Sequence, residues 1–337
     1  MPGHVDPPRH CAKVAAPPPS QSSNIVTTAP IIASRAQLLP LVAIFAGSAC
    51  FALTPVFVKF ADVGPIAAGF WRMVIALPIV WTWFQIEKRR RPDRPIHARS
   101  PRDTIWLVAS AVAITVDLSL WHSSFLYTSV ANAALLGSLH PIVVAIGAWL
   151  LFHEKITGMF MVGLVIAIVG SIVLARAGAS EFSSIAYGDI LAILSTFGFS
   201  AYALTLKRLR QTLSTATIML WTLTLAPLML LPIAAIVGET LVPQSLHGWG
   251  VVIGFALIGN VAGQSMMTYA FAHLPASFSS VTLLIVPVLA ALLAWVLFQE
   301  ALSMLQAVAG IAVLGGIVVA ERGRRGPAAP ARQAPKP

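Results

Sequence analysis

The sequence predicts an all-α integral membrane protein with ten transmembrane helices built as two inverted five-helix repeats. The 337-residue chain is 57% hydrophobic and only 10% charged, whereas soluble domains average about 25% charged residues. Its apolar residues form ten long segments, and one apolar sequence occurs in two of them. Because so apolar a chain cannot hide its side chains in soluble cores, we expect lipid to surround most of it.

Each apolar segment can cross a hydrocarbon core of about 30 Å, which takes about 20 helical residues. The segments do not alternate polar and apolar residues as barrel strands do. They are 37–60, 63–84, 104–126, 127–152, 156–175, 187–207, 214–237, 249–272, 276–298 and 303–321. These form one repeat over 37–176 and a second over 187–321. The tails, 1–35 and 322–337, have too little apolar surface to fold and are predicted to be disordered on the cytoplasmic side.

Basic residues predict the orientation of the chain in the membrane. Seven of the 22 Lys and Arg residues lie in the loop 87–103. With the N-terminus inside, nineteen lie on the inner side and two, Lys59 and Arg176, on the outer side. Inner loops are enriched in Lys and Arg, so we expect a multi-pass protein of the plasma or inner membrane with both termini cytoplasmic. This distribution also argues against nucleic acid as a partner, since the net charge of +10 follows topology.

One apolar sequence appears twice at an offset of 146 residues. LLGSLHPIVVAIGAWLLFHEK at 135–155 resembles VTLLIVPVLAALLAWVLFQEA at 281–301, and Pro141 aligns with Pro287. The copies lie on the fourth and ninth segments, which cross the membrane in opposite directions. Inverted repeats of this kind are typical of secondary transporters, in which the halves rock around a site near the midplane.

The repeated region also resembles a known family. FLYTSVANAALLGSLHPIVVAIGAWLLFHEKITGMFMVGLVIAIVGSIVLA at 125–175 and FWRMVIALP at 70–78 are similar to EamA-type members of the drug/metabolite transporter superfamily, and 276–320 carries a weaker form. The resemblance extends over about 37–321. It implies ten helices in two repeats and export or exchange of a small metabolite. His140 departs from the family pattern, which has an apolar or small polar residue there.

Polar side chains near the middle of several segments predict a central substrate-binding site. An ionisable group at a helix centre costs about 2.5–3.5 kcal/mol on insertion scales, so it needs a partner or a function. Arg72 is expected to bind a carboxylate or phosphate, and Asp117 or His140 to carry a proton. The predicted substrate-binding residues are Arg72, Asp117, Trp121, His140, Tyr202, Asn260 and Gln264.

A structural alternative is open for each of these polar residues. A permanent ion pair between Arg72 and Asp117 would fix the second and third helices. His140 would bond the backbone carbonyl that Pro141 leaves without a partner. The two amides on the eighth segment would be interhelical hydrogen bonds of about 0.6 kcal/mol each.

The acid at the end of each copy predicts a structural role beside the gating helices. Glu154 and Glu300 are expected to accept hydrogen bonds from the first amides of the helix that follows each of them, ITGMF or LSMLQ. Pro141 and Pro287 free a mid-helix carbonyl and permit the bending that a gating helix uses.

Small residues recur every four positions on the fifth and tenth segments and predict close helix contact. Packing within one chain and a homodimer face are both open. The residues are Gly163, Ala167 and Ser171, and Ala312 and Gly316.

Rival functions lack their motifs. The stretch HEKIT at 153–157 has Thr157 where a zinc protease needs its second histidine, and neither a Gly-x-Ser-x-Gly elbow nor a Walker sequence occurs. The sequence therefore predicts no enzyme, no metal and no cofactor. An intramembrane enzyme and a non-transporting sensor are the alternatives. The predicted function is secondary active transport of a small metabolite, an amino acid or related compound, by export that is proton-coupled or an exchange.

Overall fold

The computed structural model of the chain is helical throughout the part that it describes. It describes residues 3, 35–90, 100–124, 126–128, 133, 136–177, 187–298 and 303–325, and no strand occurs among them. The helices of the first half are α1 (Arg35–Ala52), α2 (Thr54–Phe60), α3 (Pro65–Arg90), α4 (Pro101–Ser124), α5 (His140–Phe152) and α6 (Gly158–Ala177).

The second half repeats this order with two interrupted helices. Its helices are α7 (Tyr187–Leu209), α8 (Thr215–Val237), α9 (Leu246–Phe255), the π-helical segment Ala256–Gln264, α10 (Ser265–His273), α11 (Ala276–Thr282), α12 (Ile285–Phe298) and α13 (Met304–Arg325). Within the described residues nine helical runs are long and apolar enough to span a membrane, and α5 is a shorter apolar helix. The predicted all-α membrane class is confirmed.

Two helices are broken at equivalent places in the two halves. The chain turns at 138–139 just before α5 and at 283–284 just before α12, and each turn precedes a proline, Pro141 or Pro287. Proline has no amide hydrogen, so the carbonyl four residues earlier loses its helical partner. The Leu283 carbonyl instead accepts from the Val286 amide at 2.9 Å. Broken helices at membrane depth are typical of transporter binding regions.

Helix packing follows the inverted repeat. Helix α3 packs on α8 and α6 on α13, and each of these pairs joins equivalent helices of the two halves. Helix α5 packs on α11, and these two helices belong to the equivalent fourth and ninth segments. Helix α4 packs along α7, and α1 packs along the π-helical segment and α10 in the equivalent way. Both contacts bring backbones together. A Cβ on Gly198 would lie 2.9 Å from the Asp117 amide, and a Cβ on Gly263 would lie 2.9 Å from the Cys50 Cβ.

The small residues of α6 and α13 pack against each other within the chain. A Cβ on Gly163 would lie 2.3 Å from the Ala320 amide, and one on Gly316 would lie 2.5 Å from the Ala167 amide. Such contacts let van der Waals packing hold helices together where the lipid supplies no hydrophobic drive. Large apolar side chains on the other faces are exposed, and Val165 is 54% exposed. This is the surface expected to meet lipid.

Two adjacent glycines allow a matched test of this packing. A Cβ on Gly316 meets backbone atoms of α6, whereas a Cβ on Gly315 has nothing within 4 Å. We expect Gly316→Ala to destabilise the protein by about 1–3 kcal/mol, because backbone atoms cannot move aside as a side chain can. Gly315→Ala should leave the thermal unfolding midpoint in detergent unchanged. Equal midpoints for the two variants would contradict this packing.

Candidate functional site

The predicted site residues lie on helices of both halves. Arg72 lies on α3, Asp117 and Trp121 on α4, and His140 at the start of α5. In the second half, Tyr202 lies on α7, and Asn260 and Gln264 lie on the π-helical segment.

Arg72 carries a buried charge at the contact between the halves. The residue is 4% exposed, and its guanidinium carbon lies 4.7 Å from the centre of the Phe255 ring. Its Nε atom has no hydrogen-bond partner among the described residues. A cation over an aromatic face is stabilised by the ring quadrupole, by about 2 kcal/mol or more when water is excluded. The ring holds the guanidinium in place without neutralising it.

Asp117 is an acid that acts on this charge. Its half-buried carboxylate interacts electrostatically with Arg72, but within the described part of the chain no ion pair joins the two side chains. The backbone of Asp117 packs on Gly198 of α7, which fixes its position in α4. The permanent ion pair of the structural interpretation is therefore not formed in this conformation.

The π-helical segment presents two amides to helices of both halves. The side chain of Asn260 donates to the Arg72 carbonyl at 3.2 Å, and the side chain of Gln264 donates to the Tyr202 hydroxyl. The backbone carbonyl of Gln264 in turn accepts from the Thr268 hydroxyl at 2.8 Å. Three predicted site residues are buried in this region: Asn260, Gln264 and Tyr202. π-helical turns are frequent at functional sites because the wider turn redirects side chains.

His140 lies at the break that precedes α5. Its Nδ1 atom is 2.7 Å from the Gly137 carbonyl oxygen, which is the carbonyl that Pro141 leaves without a helical partner. This is the contact that the structural interpretation expects. The imidazole also packs edge-on against Phe199, with 4.8 Å between ring centres, and lies near the backbone of Ser280 on α11.

Helix α7 connects these groups. Four of its positions face three different helices: Gly198 faces Asp117 on α4, Phe199 and Ser200 face His140 on α5, and Tyr202 faces the π-helical segment. The Ser200 hydroxyl also contacts the His140 carbonyl at 3.3 Å. One helix of the second half thus holds the polar residues of the first half in a common region.

Trp121 packs on the helix break, and sequence reasoning missed its neighbour His122. A Cβ on Gly137 would lie 2.7 Å from the Trp121 ring. His122 is 1% exposed, its ring packs against Gly69 of α3, and it interacts electrostatically with Arg72. His122 was missed because it lies near the end of its apolar segment. The signal that could have found it is a second ionisable residue on the same helix as Asp117.

Comparison with known proteins decides the family. A solved crystal structure matches 86% of this chain and 98% of its own, with a TM-score of 0.69 and 20% identity, so the two share a fold. The family model of the EamA-like transporter family matches residues 38–176 and 186–321. The chain belongs to the EamA-like transporter family. It is therefore a multi-pass membrane protein of a transporter family.

Individual relatives carry transporter names. An uncharacterized transporter of Archaeoglobus fulgidus is 22% identical over 273 residues, which are 78% of this chain and 90% of that protein. The pseudopaline exporter CntI of Pseudomonas aeruginosa is 21% identical over 220 residues, 65% of this chain and 76% of CntI. The uncharacterized transporter YetK of Bacillus subtilis is 27% identical over 199 residues, 57% of this chain and 60% of YetK.

In this EamA-like transporter Glu154 caps a different helix from the one predicted. Its carboxylate accepts from the amides of Ala276 and Ser277, at 2.9 and 3.3 Å, and from the Ser277 hydroxyl at 2.6 Å. These groups begin α11 in the second half, not α6, the helix that follows Glu154. The prediction of capping at ITGMF was wrong because packing of α5 on α11 brings the other helix start closer. Glu300, the equivalent acid, lies outside the described residues.

The opposite face holds acids that sequence reasoning missed. Glu239, in the loop after α8, accepts from the amides of Ile66 and Ala67 at the start of α3, at 3.2 and 2.8 Å. Burial raises the pKa of Glu239, and the two amides act against this. Asp62 accepts from the amide and hydroxyl of Ser245 at the start of α9, and that hydroxyl lowers the pKa of Asp62. Neither acid belongs to a sequence pattern.

The Tyr202 hydroxyl gives a test of the central hydrogen bonds. We expect Tyr202→Phe to destabilise the protein by about 1 kcal/mol, because the buried Gln264 amide loses its acceptor. Tyr269→Phe is the matched control, since the Tyr269 ring is half-buried and packs at a tilt against His273, and its hydroxyl has no hydrogen-bond partner in the described region. Thermal unfolding of the three proteins in one detergent measures this. A lower midpoint for the control than for Tyr202→Phe would contradict the assignment.

Proposed function

We propose that this EamA-like transporter is a secondary active exporter of a small zwitterionic metabolite, an amino acid or related compound, and that it works by alternating access. The observation that carries the proposal is the buried guanidinium of Arg72, which lies between the halves without an ion-pair partner among the described residues. A charge kept at such a place is costly, and an anionic group of a substrate would offset that cost.

The geometry around Arg72 supports a carboxylate as the anionic group. A guanidinium presents its donors in a planar fork that matches a carboxylate in a bidentate pair. Phe255 covers one face of the guanidinium, so a carboxylate would approach along its edge. The buried Tyr202, which accepts from Gln264, also interacts electrostatically with this charge.

Asp117 supports a positive group on the same substrate. Its carboxylate is close enough to Arg72 to interact but forms no ion pair with it in the part of the chain that is described. Opposite charges held apart in this way suit a molecule that carries an ammonium and a carboxylate. When the substrate leaves, Asp117 would instead take up a proton, so that proton entry and substrate exit alternate. His140 is the second candidate for the proton.

Both termini are proposed to lie on the cytoplasmic side, because the loops on that side hold an excess of Lys and Arg. The described residues Lys88, Arg89 and Arg90 at the end of α3 are exposed on that side. The partners of the chain are thus the lipid bilayer, the substrate and a proton. The α6–α13 contact uses its small residues within one chain, so a homodimer would need another surface.

Uptake into proteoliposomes tests this function. Purified protein is offered a pool of amino acids, organic acids, nucleobases and cationic amines, with and without an imposed pH gradient. We expect uptake of zwitterions only, stimulated by the gradient. Arg72→Ala should reduce uptake by at least about tenfold, because a buried charge-assisted hydrogen bond is lost, and Asp117→Asn should remove the effect of the gradient.

Two control variants distinguish loss of the guanidinium from damage to the fold. Arg72→Lys keeps the charge but loses the planar fork and should recover uptake only in part. Gly315→Ala changes an open position on α13 and should transport as the parent does. Transport of a nucleobase or an amine that persists at the parental rate in Arg72→Ala would overturn the zwitterion proposal.

A further inference from the structure

Two glutamates join the halves at opposite ends of the bundle. Glu154, from the first half, bridges the first two amides of α11 in the second half. Glu239, from the second half, bridges the amides of Ile66 and Ala67 at the start of α3 in the first half. Each contact is a carboxylate that accepts from two consecutive backbone amides, and the orientation of the helices places the two contacts on opposite faces.

We propose that Glu154 and Glu239 are positioning residues for transport, which hold the inner and the outer face closed, respectively. The proposal rests on alternating access as the proposed function. A carboxylate that accepts amide hydrogen bonds forms some of the stronger hydrogen bonds in proteins. Because both bonds of each glutamate cross between halves, rocking of the halves on one face breaks one glutamate's contacts and leaves the other's intact.

On the inner face, Glu154 belongs to a larger contact. Lys207 at the end of α7 donates to the Leu274 carbonyl at 2.7 Å and interacts electrostatically with Glu154. A cavity of about 180 Å³ borders Glu154, Ser277 and Phe278, which is below the usual size of a ligand pocket. We therefore assign this region to closure and not to binding.

On the outer face, Glu239 acts on the helix that carries the buried charge. Ala67 lies five residues before Arg72 on α3, so the hydrogen bonds of Glu239 hold the outer end of that helix. Gly64 leaves room for the carboxyl group, since a Cβ there would lie 2.4 Å from it. Trp71 adds a bond from its indole nitrogen to the Leu241 carbonyl at 2.7 Å. Outer closure and the position of Arg72 are thereby linked.

A second contact joins the halves on the outer face, and here the acid comes from the first half. Asp62, from the first half, accepts from the amides of Gln244 and Ser245, at 3.1 and 2.8 Å, beside the start of α9. The loop 61–64 with the start of α3, on one side, and the loop 238–245, on the other, thus exchange acids and amides reciprocally. Such an exchange holds two loops in one relative position, as a closed face requires.

Thiol labelling in lipid nanodiscs tests the proposal without a substrate. The native cysteines, Cys11 and Cys50, are replaced by serine. Two buried positions serve as separate reporters, Ala68→Cys near the outer end of α3 and Ser279→Cys near the inner end of α11. A water-soluble maleimide then reports opening of each face. Gln244→Ala and Gln211→Ala are the controls, since the hydrogen bonds of these side chains among the described residues stay within their own half, and Gln244→Ala keeps the backbone amide that bonds Asp62.

Opposite changes at the two reporters are the expected result. Glu239→Ala should raise labelling at the outer reporter by at least about tenfold, the effect of losing even one of its two charge-assisted hydrogen bonds, and lower it at the inner reporter. Glu154→Ala should do the reverse. A rise at both reporters in either variant would indicate general loosening and overturn the proposal, and so would unchanged labelling in both variants.

The test distinguishes this inference from the proposed function. Reciprocal labelling in a protein that takes up no zwitterion would support the two positioning residues and contradict the zwitterion substrate. Zwitterion uptake with labelling that both glutamate variants leave unchanged would support the substrate and contradict the positioning roles.

Discussion

The buried charge of Arg72 is the constraint on which the rest of the structure depends. Lipid offers no compensation for a guanidinium, so protein groups must surround it. Phe255 faces it, Asn260 bonds its backbone and Asp117 approaches it without pairing. These groups come from both halves. The charge that the fold encloses therefore lies where a rocking motion of the halves would open the protein.

A second constraint is that backbone groups inside a membrane need partners within the protein. The break before Pro141 frees a carbonyl, and the start of α11, the first part of the other broken helix, leaves amides that the chain itself must satisfy. His140 bonds the carbonyl at one break, and Glu154 bonds the amides that begin α11. Since Glu154 belongs to the other half, satisfying the broken helix also ties the halves together. The same contact satisfies the backbone and, under the proposed mechanism, would close the inner face.

The sequence was sufficient to predict the fold class, because the length of the apolar segments and their repetition are properties of whole segments and not of single residues. It also singled out Arg72, Asp117 and Gln264 as candidates, since polar groups stand out in apolar helices, and their role in binding stays a prediction. The partner of Glu154 could not be predicted, because two helix starts were available and tertiary packing chose α11. Glu239 lies in a short loop without periodicity, and only the approach of α3 gives its carboxylate two amides. The π-helical segment also has no pattern that distinguishes it from an α-helix.

The central claim is that Arg72 and Asp117 are kept for binding and not for stability. The most direct measurement compares the parent with the double variant Arg72→Met/Asp117→Leu, in thermal unfolding and in uptake. Replacing ionic groups inside a protein by apolar residues of similar volume is often neutral or stabilising by about 1–4 kcal/mol. We predict an unfolding midpoint equal to or above that of the parent and no uptake. A clear fall in the midpoint with uptake retained would contradict the account and make the two residues structural.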